Sequence, residues 1–402
     1  MQLPQRFSDL PEYAFPRLRR LLHGCAPGGP EISMSIGEPR HPVPALVAET
    51  IAAHAGEFGR YPPNEGTPEL RTAIADWLAL RYGVAVDPET EVVSLNGSRE
   101  GLFNAALALS PESKGGQRPA ILMPNPFYQC YGAAALAVGA EPVPVAATPE
   151  TGFLPDFAAL PGALLDRVTL AYVCSPANPQ GAVADAAWWR ALIALAERHD
   201  FRILADECYS EIWRDAPPPG ALAAARAAGA DPERVLVFQS LSKRSNVPGL
   251  RAGFAAGGPR GIAAIRQLRA YGGAPVPLPL QHAAAALWRD EAHVAASRAL
   301  YVEKFELADA ILGDLPGYVP PGAGFFLWLP VGDGEAAARA LWREAGVRVL
   351  PGAYLGRGDA AGRNPGAAHI RVALVAEAAE VARGLRAIRE VLGDRHFIER
   401  AG

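Results

Sequence analysis

The stretch Val235–Phe254 reads VLVFQSLSKRSNVPGLRAGF. Its first four residues, Val235–Phe238, have the pattern of a buried strand. A polar loop with Ser240, Ser242 and Lys243 follows, then a Pro-Gly turn, Arg251 and a second apolar run. A lysine just past a strand end, among hydroxyls and an arginine, suits imine chemistry beside a phosphate. Composition bears on this reading. Lys and Arg total 38, yet the only lysines are Lys114, Lys243 and Lys304. A guanidinium cannot deprotonate and form an imine, so Lys243 is either kept for its chemistry or is a surface charge that escaped the arginine bias.

Outward from this stretch, residues 91–255 alternate strand and helix. Strand patterns at 91–95, 120–123, 141–145, 168–173 and 202–205 precede the one at Val235, and helical patterns intervene at 100–109, 128–138 and 185–199. Short apolar strands with helices between them predict a mostly parallel sheet covered on both faces, an α/β fold. Ligands of such sheets sit beyond the strands' carboxyl ends. The polar clusters of the chain fall at those ends.

The flanks follow other patterns. Residues 16–22 predict a short helix, 35–39 a short strand running into a turn, and 45–54 a helix. Thr67 and Pro68 are placed as N-cap and first residue of the next helix. Beyond residue 257 helices are expected at 260–270, 278–288 and 291–312. A smaller α+β unit follows, with strands at 325–329, 347–350 and 369–372 and helices at 335–345 and 376–392. The expected organisation is an N-terminal arm and part of the small domain over 1–44, a large domain over 45–288, and a small C-terminal domain over 289–402.

A length of 402 favours two domains, and 50% hydrophobic residues supply the core. The net charge of −4, with arginines scattered among acids, gives no basic face for nucleic acid. Cys25, Cys130, Cys174 and Cys208 lie far apart and read as reduced thiols, with no metal cage implied. The first residues lack an apolar signal core, and no apolar run reaches about 18 residues, so a cytoplasmic protein without a membrane span is expected.

Candidate site residues gather at the strand ends. Asn96-Gly97-Ser98-Arg99 opens a helix and offers amides and a positive dipole end to an anion, although Ser98 also suits a plain N-cap. Tyr128 can stack on a flat cofactor or pack on the core. Asn178, fixed between Pro176 and Pro179, can present its amide, or the segment is an ordinary turn. Asp206 ends an apolar strand and wants a cationic partner such as a protonated pyridine nitrogen, unless it caps the turn after it. Tyr209 follows three residues on and can donate to the ring oxygen. Gly37, before Glu38-Pro39, suits a close backbone approach. Arg371, in a short strand, can clamp a carboxylate or lie on the surface.

Together these motifs resemble the class I aminotransferases of fold type I, which use pyridoxal 5′-phosphate. The likeness covers nearly the whole chain. It rests on Ser-Ile-Gly-Glu-Pro at 35–39, Tyr61-Pro-x-x-x-Gly66, Pro176-x-Asn-Pro-x-Gly181, Asp206-x-x-Tyr209, Ser240-x-Ser-Lys243 and Pro248-Gly-x-Arg251-x-Gly253, with the late Arg371. The intervals of 28 from Asn178 to Asp206, 8 from Lys243 to Arg251 and 120 from Arg251 to Arg371 fit the same order. The resemblance implies an aspartate-aminotransferase-like fold with a seven-stranded sheet in its large domain, and no metal. It implies that Lys243 binds the cofactor and shuttles the proton, that Asp206 pairs with the ring nitrogen, and that Asn178 and Tyr209 hold the ring oxygen. Ser98, Arg99, Ser240, Ser242 and Arg251 are implied around the phosphate, Tyr128 on the ring, and Arg371 with Asn178 and Gly37 on the substrate carboxylate. Tyr61 would reach the phosphate of a second copy, which implies a homodimer.

Asn-Gly-Ser-Arg-Glu at 96–100, Pro-Asn-Pro-Phe-Tyr-Gln at 124–129, Glu-Cys-Tyr-Ser-Glu-Ile at 207–212 and Ser-Leu-Ser-Lys-Arg-Ser-Asn-Val-Pro-Gly at 240–249 resemble the succinyldiaminopimelate transaminase branch of lysine biosynthesis. That likeness implies transfer between glutamate and a succinylated 2-oxo acid, with Arg40 as the expected cation for its distal carboxylates. Small-molecule substrates, amino acids and 2-oxo acids, are the expected partners. The alternatives are an aspartate, alanine, aromatic or acetylornithine aminotransferase, or a carbon–sulfur lyase on the same fold. A binding-only regulator would have no need of the Asp206, Lys243 and Arg371 set.

Overall fold

The computed structural model describes residues 5–8 and 10–393; the outermost parts of the expected terminal segments, 1–4 and 394–402, lie outside the described residues. Twelve strands are β1 (Ile32–Ser33), β2 (Val92–Leu95), β3 (Ala120–Asn125), β4 (Glu141–Ala146), β5 (Val168–Cys174), β6 (Arg202–Asp206), β7 (Val235–Ser240), β8 (Gly253–Gly257), β9 (Phe326–Pro330), β10 (Val347–Arg348), β11 (Leu350–Pro351) and β12 (His369–Ala373). Seven of them form one sheet in the order β2-β8-β7-β6-β5-β3-β4. Only β8 runs antiparallel to its neighbours.

The strand period of two explains why both faces are covered. Val92, Leu122, Val173, Ala205 and Val237 face one core, with Trp77, Trp189 and Trp288 from the helices Pro68–Tyr82, Ala186–His199 and Leu278–Arg289. Leu95, Met123, Tyr172, Leu204 and Phe238 face the other, with the helices Ser98–Leu109, Gln129–Ala137 and Pro259–Gly272. Strand β4 carries Pro142 and Pro144, which cannot donate to a ladder, and it lies at the sheet edge. Thr67 accepts from the Leu70 N–H at 3.3 Å, so the expected cap is present.

A further core joins the helix Ala14–Leu22 and β1 to the helix Ala292–Leu312, β9–β12 and the helices Gly334–Ala345 and Ala378–Gly393. Cys174, Tyr209 and Ile212, from the ends of the large sheet, pack into the same cluster. The carboxyl ends of β5 and β6 therefore meet this second core directly.

Two local expectations are corrected. The strand near residue 35 lies earlier, at Ile32–Ser33, where it pairs in parallel with β10. Ser35–Pro39 is irregular because its carbonyls serve side chains: Ser35 O accepts from Arg371 and Gly37 O from Lys243. The single strand expected at 347–350 is two. The chain turns at buried Val349, so β10 joins β1 while β11 pairs antiparallel with β12, Leu350 opposite Arg371.

Candidate active site

Where the strand ends meet the second core lies a cavity of about 420 Å³. Gly37, Ser98, Arg99, Tyr128, Asn178, Asp206, Tyr209, Ser240, Ser242, Lys243, Arg251 and Arg371, all singled out in the sequence, line it.

Strand β7 ends at Ser240, and the short helix Leu241–Arg244 turns Lys243 inward. Its ammonium donates to Gly37 O at 2.5 Å and lies 5.4 Å from the centre of the Phe325 ring. Burial is the main force on this group and brings its pKa down to about 8. Gly37 must be glycine: a Cβ there would stand 2.4 Å from Cζ of Phe326.

Asp206 ends β6 and is 3% exposed. Its Oδ2 accepts from the Tyr131 hydroxyl at 2.8 Å and its Oδ1 from the Cys208 N–H at 3.3 Å. Burial pushes its pKa up, against the pull of these hydrogen bonds and of Lys243. A carboxylate in this setting lacks a close cation and is built to receive one. Tyr209 meets Phe325 and Phe326 edge-on at 5.3 and 5.9 Å, and its hydroxyl makes no hydrogen bond within the described residues.

Arg371, on β12, is buried over the Phe326 ring at 4.1 Å. It donates to Asn178 Oδ1 at 3.1 Å and to Ser35 O at 2.8 Å, while its Nε is buried without a partner. Burial lowers its pKa to about 10. An orphaned N–H on a buried guanidinium fits an incoming carboxylate.

The phosphate end is assembled at the start of the helix Ser98–Leu109. Gly97 precedes it with φ 79°, and Ser98 makes no capping bond, so the helical amides and this hydroxyl stay open. Arg251 lies across Gly97, donating to Asn96 O at 2.8 Å and Pro248 O at 3.0 Å; a Cβ on Gly97 would come within 2.5 Å of its Nη2. Ser240 Oγ and Ser242 Oγ are 2.8 Å apart beside it. Backbone amides, three hydroxyls and a guanidinium form a cradle for a dianion. Arg99 is tied to the Tyr128 hydroxyl through its Nε. Tyr128 in turn lies edge-on to Tyr131, which stacks on Tyr172 at 4.5 Å.

Two expected residues lie outside. Arg40 pairs with Glu380 at 3.1 Å on the helix Ala378–Gly393 and is not among the residues that line the cavity. The next residue inward, Pro39, is buried, so the chain turns Arg40 outward to a carboxylate. Tyr61 is wholly exposed and takes no part in this chain's own cavity. Other residues around the cavity, some lining it and some holding its lining residues, escaped sequence reasoning. Tyr131 was legible, since Tyr128-x-x-Tyr131 sets two rings three residues apart at a helix start. The Ser35 carbonyl, Phe326, Tyr13 and Phe15 carried no signal.

The donor set fits pyridoxal phosphate end to end: a dianion cradle, a lysine with a softened pKa, a carboxylate wanting a cation, and an arginine with a free N–H. The comparisons agree. The family model described as "Aminotransferase class I and II" matches residues 30–388. An LL-diaminopimelate aminotransferase of Moorella thermoacetica is 32% identical over 407 residues, covering 99% of this chain and 100% of that protein. A crystal structure of an aminotransferase from Neisseria meningitidis superposes with TM-score 0.92 at 39% identity, over 97% of this chain and 100% of that one. A probable N-succinyldiaminopimelate aminotransferase of Thermus thermophilus gives TM-score 0.83 at 26% identity, over 94% of this chain and 100% of that one. With the fold, the cavity and the family match in agreement, the chain belongs to the class I and II aminotransferases, enzymes of the aspartate-aminotransferase-like fold that use pyridoxal phosphate.

Proposed function

We propose that the chain passes an amino group between glutamate and N-succinyl-LL-2,6-diaminopimelate, with 2-oxoglutarate and 2-succinylamino-6-oxopimelate as the oxo partners, in lysine biosynthesis. The observation that carries the aminotransferase chemistry is the charge in the cavity. Lys243, Arg99, Arg251 and Arg371 line it, and none has a carboxylate ion-pair partner among the described residues; the acids present are Asp206 and Glu38. A phosphate and a substrate carboxylate meet that imbalance. The Thermus protein and the branch-like stretches of sequence support the succinylated substrate, while the name of the Moorella protein supports a diaminopimelate substrate without the succinyl group.

Pyridoxal phosphate, when bound, supplies an aldehyde that takes up the amino group and a ring that accepts electron density from the substrate's α-carbon. Lys243 would hold the cofactor, and its amine would serve as the base that moves the substrate's α-proton. Asp206, oriented by Tyr131 and the Cys208 amide, would pair with the ring nitrogen and keep it protonated. Asn178 and Tyr209 donate to the ring oxygen, and Tyr128 covers the ring face. Ser98, Ser240, Ser242, Arg251 and the helix-start amides bind the phosphate, with Arg99 beside them. Arg371, with Asn178 and the Gly37 N–H, receives the α-carboxylate. A second copy of the chain brings Tyr61 to the phosphate, so the working unit is a homodimer, placed in the cytoplasm. Among the described residues no helix is long and apolar enough to cross a membrane.

Only the neutral amine of Lys243 can attack an aldehyde. Its pKa is lowered, so the fraction of free amine rises with pH and levels off above about 8. The rate of covalent cofactor capture by the cofactor-free protein should therefore climb roughly tenfold per pH unit below that point and then flatten. Stopped-flow absorbance across this range checks it; a plateau starting near the ordinary lysine pKa would refute the softened amine.

The substrate assignment is tested with cofactor-loaded protein in single turnover. Glutamate and N-succinyl-LL-diaminopimelate should each discharge the cofactor's absorbance band to the amino form. A specific observation favours a second reading, free LL-diaminopimelate. Glu38 lines the cavity with no ion-pair partner among the described residues, and a distal ammonium would suit it better than a succinyl carboxylate. Discharge by LL-diaminopimelate and not by its succinylated form would overturn the first reading in favour of the second.

A further inference from the structure

Lysine is rare in this chain, and each one sits where a compact ammonium does what a planar fork cannot. Lys114 donates to three carbonyl oxygens, of Val168, His199 and Asp200, at 2.7, 2.5 and 2.8 Å. Lys243 belongs to the cavity. Lys304, on the helix Ala292–Leu312, is 2% exposed and has no carboxylate within ion-pair distance among the described residues. Its Nζ lies 2.6 Å from Nε2 of His41, itself buried.

From this pair a buried polar chain runs toward the site. His41 Nδ1 lies 3.4 Å from Ser297 Oγ, which accepts from Asn246 Nδ2 at 3.0 Å. Asn246 stands three residues beyond Lys243, and the adjacent Ser245 Oγ meets His293 Nε2 at 2.8 Å. His41 also closes the loop whose Ser35 and Gly37 carbonyls accept from Arg371 and Lys243. Its ring lies on Tyr301 at 4.5 Å, Tyr301 stacks on Phe325 at 5.6 Å, and Phe325 touches Tyr209.

We propose that His41 and Lys304 are positioning residues: a charged Lys304 donates to a neutral His41, and this bond, continued through Ser297 and Asn246, clamps the loop Ser35–His41 to the segment Lys243–Asn246. The claim rests on the roles given above to Lys243 and Arg371. A buried ammonium without a carboxylate is costly, and a methionine of similar length would fill its place more cheaply. The Asn246 Oδ1 and Tyr301 hydroxyl, buried without partners in the same cluster, add to that cost. Polar groups kept at a loss of stability point to what they hold in place. The protonation states agree with the geometry. Burial first, then the Lys304 charge, lowers His41 to about 4. Burial lowers Lys304 to about 8, against the pull of Glu377 and Glu303. Near neutrality the ammonium is the donor and the imidazole the acceptor.

Three variants of the cofactor-loaded enzyme test this: Lys304→Met, His41→Leu, and His41→Gln, which keeps an acceptor for Lys304. The first two should raise KM for the amino donor about tenfold while kcat stays within about threefold, because the loop sets ground-state carboxylate placement. Lys304→Met should melt no lower than the parent, and the double variant Lys304→Met/His41→Leu should be no worse than either single one. His41→Gln should recover most of the loss. Wild-type KM in a stable Lys304→Met protein would overturn the proposal, as would losses of activity that simply follow falls in melting temperature. Lys243→Ala, assayed alongside, separates the two claims. If it still turns over, the reading of Lys243 fails. If it is inactive while the Lys304 and His41 variants keep wild-type KM, only the positioning role fails.

Discussion

Lys243→Ala should bring turnover below about 10⁻⁴ of the parent enzyme, since proton transfer by a placed base contributes about 10²–10⁴-fold and covalent capture of the cofactor adds to it. No other lysine can stand in. Lys114 is tied to three carbonyls and Lys304 is committed to His41, both away from the cavity. Borohydride, which fixes an imine irreversibly, should attach the cofactor to the parent protein and leave the variant unlabelled. The fold should survive, because the amine is held down to about 8 by burial and its removal relieves a desolvated charge. Lys243→Arg should be as inactive as the alanine variant, which separates the need for an amine from the need for a charge. Labelling of the alanine variant, or activity within about a hundredfold of the parent, would remove Lys243 from the centre of the chemistry.

Arg371→Leu should lower kcat/KM for amino acid substrates by about 10²–10⁴, mostly through KM. Losing one partner of a buried charged contact costs about 3–5 kcal/mol, and each 1.36 kcal/mol is a factor of ten. The geometry explains why the loss is so large. The guanidinium is clamped by Asn178 and Ser35 and held over the Phe326 ring, with its Nε left over, so its carboxylate-binding edge is fixed before substrate arrives. Arg371→Lys should recover little, because a single ammonium cannot reproduce the fork. An amine lacking the α-carboxylate supplies the control: parent and variant should react with it at similar, slow rates. Equal losses for the amine and the amino acid would mean that Arg371 supports the structure and does not read the carboxylate.

Most of this site could be placed from local pattern. Lys243, Asp206, Asn178 and Ser98 each follow a strand end that period-two apolar runs reveal, and a parallel sheet collects such ends on one edge. Gly37 was read as a point of close backbone approach, and the Phe326 ring against it supplies the reason. Arg40 shows the limit. Its charge suits a distal carboxylate, and only the fold reveals that it pairs with Glu380, 340 residues away. Tyr131 shows the opposite failure: its spacing from Tyr128 was visible, but only the fold reveals that its hydroxyl meets Asp206.

By itself, the sequence determined the α/β alternation and the strand ends at which the polar clusters lie, and it singled out Lys243 as the candidate for imine chemistry. Those follow from side-chain periodicity and from what each functional group can do. Tertiary structure alone decided that Ser35 and Gly37 turn their carbonyls to Arg371 and Lys243, that Arg371 finds Asn178, and that Lys304 lies buried against His41. These partners are 336, 206, 193 and 263 residues apart. Every residue carries a carbonyl, and no local pattern marks which one will be left without a ladder partner. That choice falls to the packing of the small-domain core against the sheet ends, where the irregular loop Ser35–His41 offers its carbonyls to side chains from elsewhere in the chain.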